Sequence, residues 1–386
     1  MMKQMKVLSI FILIFCLLIT LVQPADANTK RGNNGKKTTT TEPAPEPTPT
    51  PIVTEPTPEP VIVEPKMILG YYVKYWSTDQ NSYNSLNLFH SYMNTVSTAT
   101  FNVSSTGTIT GDVPADGVSL ANSKNINAYA AIHNVENGSF SPNLARTILS
   151  SAELRATTIQ NLLTLVKNNG YTGVNMDFEN MYATDRDLYS QFIRELVNAF
   201  HAQGLKVMVS APAKTADNPT SAWVGTFDYA ALGQVVDKIQ LMTYDQHGSW
   251  SNVTGPVAGY NWVDKVLAYA VSQIPANKVV MGLPAYGYDW NTTTGSGHKA
   301  VSWKSIPNLI NSTGAIPQWD EASQSPYFNY VAADGTKHVV WYENAKSIEV
   351  KTRLVEKYQL GGVSMWRMGL EDESFWKAVQ AGLTVQ

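Results

Sequence analysis

Residues 173–180 read GVNMDFEN and set Asn175, Asp177 and Glu179 at alternate positions, with Val174, Met176 and Phe178 between them. Successive side chains of a strand point to opposite faces, so the amide and the two acids share one face and the apolar three share the other. Two carboxylates spaced in this way lie roughly 6.5 Å apart along the chain. Like charges that close do not ionise together comfortably. One apparent pKa rises, and a carboxyl group that keeps its proton can serve as an acid. The plain alternatives are a solvated strand edge or one arm of an ion-pair network. Where the strand sits decides between them.

The chain has 386 residues, 44% hydrophobic and 15% charged, which suits one large domain or two medium ones with a substantial core. A net charge of −3 without a basic aromatic stripe speaks against nucleic acid as a partner. Ten Trp and 19 Tyr could supply faces for stacking on sugar rings, although a large core also uses such residues. The six histidines, His90, His133, His201, His247, His298 and His338, show no metal-ligand spacing, so neither a metal nor another cofactor is expected. His247 adjoins a polar strand end and could line a cleft or simply pack at the surface.

Residues 1–27 read as a secretory signal. Lys3 and Lys6 precede an apolar run from Val7 to Val22, and Ala25–Ala27 offers a cleavage site. The single cysteine, Cys16, lies in that run, so a processed chain would carry no disulfide. Residues 28–65 alternate Pro with Thr and Glu, a composition for extended polyproline II and not for a packed fold. From Thr38 to Pro65 such a stalk would reach roughly 85 Å at about 3.1 Å per residue. These features predict a secreted or surface-held protein with its folded unit over 66–386.

In that unit, strand-like runs alternate with helical ones. The runs are 67–76, 95–103, 125–134, 171–180, 204–214, 237–245, 278–290 and 360–369. Helical patterns fall at 151–170, 185–204, 260–274 and 345–362. Eight strands alternating with helices predict a (β/α)8 TIM barrel. The excess length over about 291–343 predicts a small α+β insertion after strand seven. A doubly wound open sheet is the competing fold, weakened because no glycine-rich phosphate loop follows the first strand. In a barrel, Asn175, Asp177 and Glu179 point inward at the C-terminal end of strand four, where barrel active sites form.

These residues resemble glycoside hydrolase family 18, the chitinase-like family. GVNMDFEN resembles its D-G-x-D-x-D-x-E signature, and LMTYDQHGSW (241–250) resembles its M-x-Y-D motif on strand six. GLPAYGYDW (282–290) resembles strand seven, GGVSMWRMG (361–369) resembles strand eight, and GYY (70–72) fits strand one. The resemblance runs from Ile68 to Trp376. Thr172 and Asn175 stand where the signature has its first two Asp, and strand three reads AYAAIHN in place of S-x-G-G. These departures look most like the bacterial spore-cortex and peptidoglycan N-acetylglucosaminidase branch. That branch often carries lysin-motif repeats, and none appears here.

The resemblance implies a glycosidase acting on a polysaccharide that contains N-acetylglucosamine, peptidoglycan or spore cortex first and chitin second. It implies Glu179 as general acid and then base. Asp177 would orient the substrate's acetamido group, Tyr244 would align its carbonyl, and Asp245 would contact the sugar. Trp366 would form the pocket floor, with Tyr71, Met242 and Tyr286 as further substrate-binding neighbours. Asn175, an amide in place of a second acid, would hold Asp177 in a fixed charge state through a hydrogen bond. A monomer is expected. The competing classes are a non-catalytic sugar-binding protein on the same barrel and a structural surface protein. Retention of Glu179 argues against the first, whose members typically lose the acid; the second would use the stalk and tolerate a dead site.

Overall fold

In the computed structural model the described residues are 65–384. The signal at 1–27 and the stalk up to residue 64 lie outside them. Eight parallel strands form the centre: Met67–Tyr72, Thr95–Val103, Asn127–His133, Gly173–Asp177, Lys206–Pro212, Lys238–Met242, Val279–Pro284 and Gly362–Trp366. Each pairs with the next in chain order. Strand one also pairs with strand eight, with Met67 opposite Gly362 and Leu69 opposite Ser364, so the sheet closes into a barrel. The open-sheet alternative is thereby excluded.

Alternation along strand four is what the sequence implies. Val174, Met176 and Phe178 are fully buried in the main apolar core between barrel and helices. The Phe178 ring stacks against Phe192 and Tyr189 of the following helix, Arg186–His201. That helix and its predecessor, Ala152–Asn168, lie within the predicted ranges. The Ser151 side chain accepts from the Leu154 N–H and caps the first turn of the earlier helix. The run predicted as one helix over 345–362 is instead two short helices, Ala345–Thr352 and Leu354–Lys357, followed by strand eight from Gly362.

The inward face is polar at mid-height and fully buried. Asn175 donates to the Tyr71 hydroxyl at 2.9 Å and to Ser97 at 3.4 Å, and accepts from Ser210 at 3.1 Å. Tyr71 also meets Ser210 at 3.0 Å and donates to Gln240 at 3.3 Å, and Gln240 donates to Ser364 at 3.0 Å. Six strands thus tie their inward side chains into one network. Barrel interiors are packed layers of side chains and not pores; here one layer is held by hydrogen bonds.

The run at 278–290 divides at Ala285. Strand seven ends at Pro284, and Tyr286–Asn291 opens a separate antiparallel sheet. Its five strands run in the order Lys299–Ser302, Tyr286–Asn291, Lys337–Trp341, Ser325–Val331 and Gln318–Asp320. With the helix Ile306–Thr313 they enclose a small core of Val301, Ile306, Phe328, Val340 and Tyr342. This lobe starts earlier than residue 291, and its first strand carries two tyrosines that reach the site.

Candidate active site

The C-terminal ends of the strands surround a cleft of about 780 Å³. Seven of the nine residues singled out from the sequence line it: Tyr71, Asp177, Glu179, Met242, Tyr244, Asp245 and Trp366. Two do not. Asn175 is fully buried beneath the cleft in the mid-barrel network. Tyr286 stands behind Asp245, to which its hydroxyl donates at 2.7 Å.

Strand four ends at Asp177, and Glu179 follows in irregular backbone. Its position is set by Asn134, the residue just past strand three. The Asn134 carboxamide accepts from the Glu179 N–H at 2.8 Å and donates to the Glu179 carbonyl at 2.9 Å. Asn134 also donates to the Ser141 carbonyl at 3.0 Å and is itself fully buried. One amide therefore clamps the backbone of Glu179 from both sides. The Glu179 carboxyl is raised well above the usual range, first by burial and then by the charges of Asp177 and Asp245. Such a group keeps its proton where an ordinary glutamate has lost it.

Asp177 is not held by Asn175, contrary to the expectation from sequence. Its Oδ2 lies 3.2 Å from Nε2 of His133, the last residue of strand three and its register partner across the sheet. The reason is geometric. Asn175 points in the same direction as Asp177 but one layer lower, where the hydroxyls of Tyr71, Ser97 and Ser210 take its hydrogen bonds. The second oxygen of Asp177, Oδ1, is buried and has no hydrogen-bond partner. A buried carboxylate oxygen without a partner is costly and is the kind of feature a site retains for a ligand.

Asp245 follows strand six in a left-handed backbone conformation with φ of 58°, uncommon for a residue other than glycine. The hydroxyls of Tyr286 and Tyr288 fix it at 2.7 and 2.9 Å. Burial raises its carboxyl, partly offset by these two donors. Tyr244 is raised far above the ordinary phenol range by burial and by the neighbouring Tyr71, Asp177 and Asp245, so it stays a neutral hydroxyl. Its ring packs against Gly282, where a Cβ would come within 2.7 Å of the ring; glycine at that point of strand seven makes room for it. The Trp366 ring lies 5.3 Å from Tyr71 at 59°, supported from below.

The cleft has an aromatic rim that sequence reasoning did not place. Phe140, Trp223, Trp250 and Trp262 line it. Trp223 and Trp250 are 52% and 67% exposed, so their rings are open to a ligand. His133 and Asn134 were likewise missed as site residues. His247, by contrast, turns to the Pro256 carbonyl at 3.0 Å and does not line the cleft. Among the described residues, no three His, Cys, Asp or Glu side chains converge so as to hold a metal ion.

Comparison with known proteins gives a consistent picture. Residues 67–371 match the glycosyl hydrolases family 18. The uncharacterized glycosylase YvbX of Bacillus subtilis is 41% identical over 81% of this chain and 91% of its own length. The cortical fragment-lytic enzyme of the same organism is 32% identical over 74% of this chain and 67% of its own. Among solved structures, a chitinase from Chromobacterium violaceum superposes with a TM-score of 0.78 at 37% identity, covering 83% of this chain and 100% of that one. The barrel, the cleft at its mouth and these relatives lead to one conclusion: this chain belongs to glycosyl hydrolase family 18 and is a glycosidase.

Proposed function

We propose that the protein cleaves β-linked polymers of N-acetylglucosamine by substrate-assisted catalysis with retention of anomeric configuration. The observation that carries this reading is the pairing in one cleft of Glu179, its proton affinity raised first by burial, with Asp177, which carries a buried oxygen without a partner. Most glycosidases use two carboxylates, one as acid and one as nucleophile or base, and family 18 is an exception in which the substrate supplies the nucleophile.

Glu179 would give its proton to the leaving glycosidic oxygen. The 2-acetamido oxygen of the substrate would attack the anomeric carbon and form a cyclic oxazolinium ion. The Asp177 carboxylate would accept the acetamido N–H, orienting the group and offsetting the positive charge as it develops. Tyr244 would donate its hydroxyl proton to the acetamido oxygen and align it. Glu179, now a carboxylate, would take a proton from the water that opens the ring. Asp245 and Met242 would contact the sugar, and Trp366, resting on Tyr71, would carry its apolar face.

Peptidoglycan, spore cortex in particular, is the first substrate choice, supported by the identity to the cortical fragment-lytic enzyme. Chitin is the second, supported by the likeness to the Chromobacterium chitinase. The signal-like residues 1–27 and the proline-rich 28–65 support a secreted or wall-associated enzyme. Incubating the purified protein with cortex muropeptides and with chitooligosaccharides, then weighing the products by mass spectrometry, tests the assignment. Release of N-acetylglucosamine-terminated fragments from muropeptides at a higher kcat/KM than from chitooligosaccharides is expected. Cleavage of neither would overturn it.

A further inference from the structure

We propose that His133 is the charge partner of Asp177: an imidazolium that holds one carboxylate oxygen and so fixes the rotation of the carboxylate beside the cleft. The inference rests on the catalytic reading above and adds a positioning residue to it.

Nδ1 of His133 lies 2.8 Å from the backbone carbonyl oxygen of Phe101 on strand two. A carbonyl oxygen can only accept, so Nδ1 must carry a hydrogen. Nε2 lies 3.2 Å from Oδ2 of Asp177. If the ring is neutral, its Nε2 lone pair faces a carboxylate oxygen and the contact is repulsive. The contact becomes a hydrogen bond only when a proton sits between the two atoms, and with Asp177 as a carboxylate that proton makes the ring a cation.

The surroundings agree. The Phe101 carbonyl approaches from strand two and Asp177 from strand four, with Glu179 two residues beyond Asp177. On the cleft side the ring of Phe140 meets the imidazole edge-on at 6.0 Å and carries no charge. Burial lowers the proton affinity of His133, but the hydrogen bond and charge of Asp177, aided by the Phe101 carbonyl, outweigh it and the net direction is upward.

Two consequences follow for the reaction. The imidazolium fixes the rotation of the Asp177 carboxylate at the cleft wall, where the acetamido N–H would meet it. It also offsets part of the Asp177 charge that raises Glu179, and so tunes the acid. Strand three thus supplies both supports in adjacent positions, His133 for Asp177 and Asn134 for Glu179.

Nitrogen-resolved NMR of the imidazole rings of the full chain tests the ion pair without turnover. The His133 signals are assigned by their loss in His133→Gln. At pH 7 both His133 nitrogens should be protonated, and in Asp177→Asn the ring should titrate at lower pH. A neutral ring at pH 7, a bare Nδ1, or the same titration in wild type and Asp177→Asn would overturn the proposal. Kinetics give a second readout. In His133→Gln the basic limb of the kcat profile should move up by about one pH unit, since a nearby cation no longer favours ionised Glu179. A fall in rate with an unmoved limb would mean that His133 only packs, and would overturn its tuning role. If the NMR results are as stated and the protein cleaves no glycan, the catalytic reading fails while the ion pair stands.

Discussion

Two polar layers of the barrel, one step apart along strand four, differ in how completely they are satisfied. At mid-height, Asn175 is joined to Tyr71, Ser97 and Ser210, and the network continues to Gln240 and Ser364. At the mouth, Asp177 keeps a buried oxygen without a partner, Glu179 has its proton affinity raised, and Asp245 sits at positive φ. The lower layer behaves as scaffold: hydrogen bonds within the protein are closed, and change there should cost stability. The upper layer is left incomplete, and change there should cost rate. Residues of similar chemistry, two positions apart, are separated by this criterion and not by residue type.

The contrast is easiest to break at Glu179. Glu179→Gln keeps the shape and loses the transferable proton, so kcat should fall roughly 10²–10⁴-fold while sugar binding remains. Retention of half the wild-type rate would remove Glu179 from the role of acid. The same variant should also be the more stable protein at high pH. The folded-state pKa of Glu179 lies above its unfolded value, so the wild type gives up stability as pH rises from the unfolded value through the folded one, and the amide does not. Thermal melts of the two should coincide in acid and separate as the buffer becomes alkaline.

A smaller effect is expected at Asn134. Asn134→Ala removes both hydrogen bonds to the Glu179 backbone. Misplacement of a catalytic group by about 1 Å can cost on the order of 10²-fold in rate. A drop in kcat of about that size or less, with little change in KM, would mark Asn134 as the clamp of the acid; equal kcat in variant and wild type would show that Glu179 holds its place without it.

The smallest effect on rate belongs to the lower layer. Asn175→Ala strands the buried hydroxyl of Ser97 and removes one hydrogen bond each from Ser210 and Tyr71, which keep each other and Gln240; an unsatisfied buried polar group costs roughly 1–3 kcal/mol. Denaturant unfolding should register that loss, and kcat at saturating substrate should stay within a few fold of wild type. A variant with wild-type stability and no activity would place Asn175 in the upper layer after all.

Much of this organisation was legible in the sequence. The eight barrel runs show as extended apolar stretches, and the alternation in GVNMDFEN separates core residues from inward ones without any structure. What could not be read is what crosses between strands. His133 carries no spacing pattern, and its meaning comes only from standing opposite Asp177 in the sheet register. Proximity on one strand face suggests that Asn175 holds Asp177, but the partners of Asn175 come from strands one, two and five. The division at Ala285 was hidden because residues on both sides of it favour extended backbone. Short helices such as Asn81–Phe89 and Ala115–Ser123 escaped because their apolar faces are only a few residues long. The rim tryptophans were counted in the composition, yet Trp223, Trp250 and Trp262 converge only through three separate loops and helices.

The mechanism proposed for this cleft stands or falls with the substrate's own acetamido oxygen as the nucleophile. Proton NMR of the first product, recorded before mutarotation, tests it most directly. A β-configured reducing end is expected, with no sugar attached to the protein and no cleavage of an otherwise equal substrate carrying a plain 2-hydroxyl. An α-configured product, or a sugar trapped covalently on Asp177, Glu179 or Asp245, would contradict it.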